Sequence, residues 1–303
     1  MTASAPGKVN LVLRVGNPDE NRYHPLVSVF EAISLREYVH IERLDSHQAP
    51  VGNISVRTVC YRDDEYDHES TGVMAEVPAR DNLAMKACMA LMPKGESAAI
   101  FVHKTIPAAG GMAGGSADAA AALVAANKLW SLGLSEAELC VVGRGLGADV
   151  PACIVGDISL GTGYGDHMER LQISREDTWV LAFAVDGLST PTVFHEFDRL
   201  SLGKPLPKPR DVVDCLQNDL LPAALSLRPE LQMVGEAALV AGATEWMLCG
   251  SGPTIAARVK DSFIGEKVRE IWGGISCVSG SAVVHGPVPG AQIETELPIW
   301  AQL

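Results

Sequence analysis

Between Val9 and Val15, Val9, Leu11, Leu13 and Val15 fall on one side of the chain, and Asn10, Val12 and Arg14 on the other. This period of two predicts a strand with one buried face. Pro6-Gly7 breaks the chain just before it, which puts Lys8 at the strand's entrance. A second apolar stretch, Leu26 to Leu35, is expected to pair with it across a turn at Asn17 to Asn21. Asp81 stands where a cap belongs for a helix over Asn82 to Met92, closed by Pro93. A strand around Ala98 to His103 follows. Beyond it Gly110, Gly111, Gly114 and Gly115 crowd in front of an alanine-rich helix running to about Trp130. Leu134 to Leu146 reads as another helix, with Ser135 and Glu138 as its capping box and Gly147 as its stop. Asp149 is then placed to cap one more helical turn.

In the second half, glycine-interrupted strands cover Gly156 to Gly165, and Trp179 to Val185 reads as a buried strand. Gly203 to Arg210 is a Pro/Lys-rich loop, and helices are expected over Asp211 to Leu216 and Pro229 to Ala241. Met247 to Arg258 reads as strand, glycine loop and strand. From Val288 the chain is polar and broken by prolines, as a loosely held tail would be. There are no internal repeats. The division falls near 155, giving parts 1–155 and 156–303 that meet around the glycine loops.

Composition narrows the function. At 303 residues, 47% hydrophobic and 20% charged, the chain is globular. A formal charge of −13 with no concentrated basic patch excludes general nucleic-acid binding. The longest apolar runs, Ala119 to Ala126 and Trp179 to Val185, fall far short of the roughly 20 residues that span a bilayer. Met1 to Lys8 lacks the basic start and apolar core of a secretory signal. Seven scattered cysteines form no CxxC pair, which points to thiols in a reducing, cytoplasmic setting rather than disulfides or zinc.

Strand, glycine-rich turn and helix present backbone N–H groups to an anion, and the helix N-terminus adds partial positive charge. Such a cradle binds phosphate without a net positive protein. It is not a Walker A loop, because Gly115-Ser116-Ala117 carries no lysine. Its spacing also differs from the dinucleotide fingerprint. A plain flexible turn is the alternative for this segment alone. Lys8, Asp149 and Tyr23-His24 are individually ordinary: a solvated lysine, a helix cap, a turn aromatic with a surface imidazole.

Taken in order, Pro6-Gly7-Lys8-Val9-Asn10-Leu11, the loop from Lys104 to Ala120, Leu146 to Pro151 and Gly250-Ser251-Gly252-Pro253-Thr254 resemble the motifs of the GHMP small-molecule kinases. Tyr23-His24 with Pro25 to Phe30, Asp81-Asn82-Leu83, Thr190 to Phe194 and Asn218-Asp219-Leu220 extend the match over most of the chain. The resemblance implies a two-domain α+β fold with its active site in the inter-domain cleft. It also implies transfer of the ATP γ-phosphoryl group to a hydroxyl of a cytidine-diphosphate-linked polyol in non-mevalonate isoprenoid precursor synthesis. On this resemblance Lys8 and Asp149 are the catalytic pair. Asn82, Leu83, Lys104, Pro107 and the loop Gly110, Gly111, Met112, Ala113, Gly114, Gly115 and Ser116 hold ATP. Asn10, Tyr23, His24, Thr190 and Phe194 hold the acceptor, with Tyr23 and Phe194 sandwiching cytosine. Mg²⁺ is implied with ATP, and the hydroxyl of Ser116, which also reads as the helix N-cap, is its candidate ligand. A monomer or weak homodimer is expected. The alternatives are another member of the same superfamily, acting on mevalonate, homoserine or a sugar, and a catalytically inactive ligand-binding module. Three places depart from the family pattern: Arg22 stands where glycine is common, Met112-Ala113 where a further glycine is common, and Asp118 where asparagine is frequent. Arg22 tests whether that turn needs a positive φ. Asp118 is unfavourable near phosphates unless it faces Mg²⁺ or Lys104.

Overall fold

The computed structural model describes residues 1–45, 52–62, 65–67, 70, 78–212 and 216–295. In chain order the strands of the first half are β1 (Thr2–Val15), β2 (Leu26–Arg43), β3 (Ile54–Arg62), β4 (Glu65–Tyr66) and β5 (Ala98–Lys104). Its helices are α1 (Leu83–Leu91), α2 (Gly114–Leu129), α3 (Glu136–Arg144) and α4 (Val150–Val155). There follow β6 (Ile158–Thr162), β7 (His167–Arg170), β8 (Asp177–Ala184), α5 (Thr190–Arg199), β9 (Gln217–Asn218), α6 (Leu221–Leu227) and α7 (Glu230–Ala241). The chain continues through β10 (Glu245–Leu248), β11 (Ile255–Val259), α8 (Ser262–Gly273), β12 (Val278–Gly286) and β13 (Gln292–Glu294).

Two sheets result, one of nine strands around β1, β2 and β5, the other of four in the order β10-β11-β8-β12. The first sheet does not stop at residue 155: β6 pairs with β2, β7 with β6, and β13 with the start of β1. The segment after Val288 is therefore not a loose tail over its described length. Arg36 fastens it by donating to the carbonyls of Pro289 at 2.9 Å and Gly290 at 2.7 Å. Periodicity misses this because it reports which face is buried, not which strand supplies the partner.

β1 is longer than its alternation shows. It begins at Thr2 and carries Pro6-Gly7 inside it through a register shift, which accommodates the missing proline N–H. Lys8 thus lies mid-strand and 4% exposed, not at a solvated entrance. The helix expected from Asp81 is capped one residue later, by Asn82, whose Oδ1 accepts from the Met85 N–H at 3.1 Å. The capping box of Ser135 and Glu138 forms as read. Of the helix expected over Asp211 to Leu216, a 3-10 turn covers Pro209–Val212, and residues 213–215 lie outside the described residues.

β8 shows why its sequence is continuously apolar. Trp179, Leu181 and Phe183 enter the core of the larger sheet, while Val180 and Ala182 enter the core of the smaller one. A strand buried on both faces has no polar side to alternate. Helix α2 is buried from Ala117 to Leu123, and its alanines let it lie close on β1 and β2.

Candidate active site

The Lys8 ammonium donates to Asn10 Oδ1 at 2.7 Å and to the carbonyl of Gly111 at 2.9 Å, and lies 3.7 Å from Asp149 Oδ2. Its backbone N–H donates to the Met112 carbonyl at 3.2 Å. Asn10 is oriented in turn by Ser28: Asn10 Nδ2 donates to Ser28 Oγ at 2.9 Å, and Ser28 Oγ donates to the Val12 carbonyl at 2.6 Å. Asp149 precedes α4, but its side chain makes no capping hydrogen bond. The carboxylate points instead toward Lys8 and is about one-third exposed.

The glycine loop is pressed against the turn after β10. Gly111 has φ +80°, and a Cβ there would lie 2.1 Å from the Cys249 carbonyl oxygen. Gly250, with φ +55°, approaches Gly111 from the other side. Here glycine is required by close approach as well as by dihedral. Ala113 adopts φ +64° at the start of α2, and no side chain caps the helix. Ser116 is therefore not the N-cap. It sits in the first turn, where no side chain caps the helix among the described residues, and uncapped N–H groups are what an anion site requires.

The residues expected around the nucleotide fall on either side of the loop. Asn82 and Leu83 flank its exit, with Leu83 Cδ1 3.5 Å from where a Cβ on Gly115 would stand. Lys104, Pro107 and Gly110 line a cavity of about 720 Å³, walled by Tyr38, Tyr61 and Phe183. Neither Lys8 nor Asp149 lines that cavity. Lys104 itself is 5% exposed, and its ammonium is engaged by Glu37 and Asp118, each at 2.6 Å.

On the acceptor side, Arg22 has φ +64°, so the turn does impose the left-handed conformation on a residue with a Cβ. Asp19 Oδ1 gathers the N–H groups of Asn21 and Tyr23, both at 2.9 Å. Tyr23 is 67% exposed and packs edge-on against Tyr164, ring centroids 5.9 Å apart. His24 is buried rather than a surface imidazole: Nδ1 is 2.8 Å from the Gly16 carbonyl and Nε2 3.2 Å from Asp198 Oδ1. The carbonyl holds the proton on Nδ1. The His24 ring lies against Phe194, centroids 5.2 Å apart. Thr190 Oγ1 is 2.8 Å from Ser251 Oγ, which ties the start of α5 to the glycine turn after β10.

Sequence reading gave no role to Ser28, Ser251 or Glu37. Ser28 and Ser251 lie inside recognised motifs, and that was their signal. Glu37 stands in an apolar strand and is wholly buried. Asn218, also inside a recognised motif, donates to the carbonyls of Leu248 at 2.9 Å and Gly250 at 2.7 Å. Among the described residues, no cluster of three or more His, Cys, Asp or Glu is placed to hold a metal ion, and no helix is long and apolar enough to cross a membrane. The six described cysteines are free thiols.

The glycine loop, the buried Lys8 and Asp149 come together beside the turn after β10, and the comparisons with known proteins give the class of the fold. Residues 82–157 match the model of the GHMP kinases N terminal domain. The chain is 39% identical to the 4-diphosphocytidyl-2-C-methyl-D-erythritol kinase of Nocardia farcinica, over 95% of this chain and 94% of that one. It is 41% identical to the enzyme of the same name from Streptomyces coelicolor, over 86% and 88%. A crystal structure of 4-(cytidine 5'-diphospho)-2C-methyl-D-erythritol kinase has the same fold, with TM-score 0.73 at 24% identity over 94% of this chain and 98% of that one. The chain belongs to the GHMP kinases, ATP-dependent phosphotransferases, and within them to the family of 4-diphosphocytidyl-2-C-methyl-D-erythritol kinases.

Proposed function

We propose that this protein transfers the γ-phosphoryl group of ATP to the 2-hydroxyl of 4-diphosphocytidyl-2-C-methyl-D-erythritol. The relatives' names support this reading, and the observation that carries it is the convergence of Asp149 and the Gly111 carbonyl on the Lys8 ammonium. Phosphoryl transfer needs an oriented hydroxyl, an in-line phosphate and charge neutralisation. Asp149 accepts the hydroxyl proton as general base. Lys8 offsets charge on the transferring group from a position set by Asn10 and Ser28. The loop amides from Gly110 to Ser116 and the uncapped start of α2 cradle the ATP phosphates. Tyr23 and Phe194 offer faces to cytosine, with His24 held between Gly16 and Asp198.

Mg²⁺ bound mainly through phosphates and its own waters needs few protein ligands, and the Ser116 hydroxyl in the first turn of α2 suits that sparse donor set. When bound, it would neutralise phosphate charge.

The test is a coupled ADP-release assay on 4-diphosphocytidyl-2-C-methyl-D-erythritol beside a panel of mevalonate, homoserine and sugar acceptors. Turnover on the cytidine compound is expected, and it should be abolished by Asp149→Asn with ATP binding retained. Preference for an acceptor lacking cytosine would overturn the substrate assignment.

A further inference from the structure

Lys104 closes β5 and opens the glycine loop, while Asp118 stands one turn into α2, where the loop ends. Glu37 of β2 joins the two limbs. Its Oε1 accepts from the Lys104 ammonium at 2.6 Å and its Oε2 from the Thr105 N–H at 2.7 Å. The same ammonium donates to Asp118 Oδ2 at 2.6 Å. Thr105 Oγ1 donates to the Arg36 carbonyl at 2.7 Å, a further tie to β2. Gly114 lies directly over the cluster: a Cβ there would come within 3.0 Å of Glu37 Oε1. All three charged side chains are buried, at 0%, 5% and 6% exposure for Glu37, Lys104 and Asp118.

We propose that Lys104 is a positioning residue acting through the loop, and that the Glu37–Lys104–Asp118 cluster is the fastening that sets the loop's phosphate-facing amides. The assignment rests on the reading that this loop cradles ATP. An ammonium with two carboxylates at 2.6 Å has little left for a nucleotide phosphate. Its bonds run instead to Asp118, where the loop leaves, and to Glu37 of β2, which also holds Thr105 where the loop enters. Among the described residues Asp118 Oδ1 has no partner, and the aspartate's contribution runs through its bond to Lys104. Burial raises both carboxyls, Glu37 to about 8, with Asp118 adding to the rise in Glu37 and Lys104 opposing it in each. The cluster is thus strongly coupled, and loosening one member loosens the loop. Asp118, which departs from the family pattern, is absorbed by Lys104 before it can repel phosphate.

The discriminating variant is Asp118→Ala. Direct contact between Lys104 and ATP would make it tighten ATP binding or leave it unchanged, because Lys104 is freed from a competing carboxylate. Fastening requires the opposite: the KM for ATP should rise by ~10-fold while kcat and the acceptor KM change by less than about threefold, and Asp118→Asn should restore it. Glu37→Gln provides a second readout should Asp118→Ala fold poorly, since it turns an amide NH₂ toward the Thr105 N–H. It should raise the KM for ATP in the same way. An unchanged or lowered KM for ATP in Asp118→Ala, or in Glu37→Gln if the alanine variant does not fold, would overturn the proposal. Gly115→Asp tests the underlying reading separately, because among the described residues a Cβ at Gly115 meets only Leu83, at 3.5 Å. If a carboxylate there leaves ATP binding intact, the loop is no phosphate cradle. If it abolishes binding while the cluster variants are silent, only the fastening fails.

Discussion

Lys8 donates to the Gly111 carbonyl at 2.9 Å, which makes the buried lysine and the glycine loop one mechanical unit. The ammonium is closer to the loop and to Asn10 than to Asp149, 3.7 Å away. Asn10→Ala should therefore misdirect the Lys8 side chain. Steady-state kinetics are expected to show kcat reduced by ~10-fold or more with the KM for ATP little changed. A raised KM with kcat unchanged would mean that Asn10 serves binding instead.

Gly111 tolerates no side chain, since its φ is +80° and a Cβ would meet the Cys249 carbonyl at 2.1 Å. Gly111→Ala should destabilise the protein by ~3 kcal/mol or more and displace the loop from Lys8. Chemical denaturation measures the first effect. A loss below ~1 kcal/mol would show that the two glycine turns separate freely.

Glu31 lies where the two sheets meet, accepting from Trp179 Nε1 at 3.0 Å with the Asp177 carboxylate beside it. Burial, with Asp177 adding to it, raises Glu31 from 4.5 to about 8. The folded protein keeps this proton to about pH 8, whereas the unfolded chain releases it near 4.5. The group's contribution to stability is complete below the lower value and is lost as pH rises toward the upper one. Glu31→Gln keeps the oxygen that accepts from Trp179 and removes the titration. Its Tm should match the parent near pH 5 and exceed it near pH 9. Parallel profiles for parent and variant would contradict this account.

Arg22 holds φ +64° in the turn before Tyr23 and His24. Arg22→Gly relieves that strain but frees the unfolded chain, so the net gain should be at most ~1 kcal/mol. A clear loss of stability in urea would show that the arginine side chain does more than tolerate the turn.

Much of the architecture follows from local chemistry. The period-two stretch at Val9 to Val15, the box of Ser135 and Glu138, and the glycines before an alanine-rich helix are signals that a few neighbouring residues suffice to set. Where reading failed, the missing partner was distant. Pro6-Gly7 reads as a break until β2 is there to accept a shifted register. Asp149 reads as a cap until Lys8 arrives from another strand. The segment after Val288 reads as loose until Arg36 reaches it.

The sequence alone determined the family, the ordered motifs and the presence of a loop able to offer amides to an anion. It also determined that an acidic chain of −13 formal charge must hold phosphates by a local device. Only the tertiary structure decided that Lys104 belongs to Glu37 and Asp118, that His24 is buried between Gly16 and Asp198, and that Lys8 is fastened to the loop. The physical reason is that a charged side chain's role depends on its burial and its partners. Both are set by strands and helices that meet only when the two sheets pack.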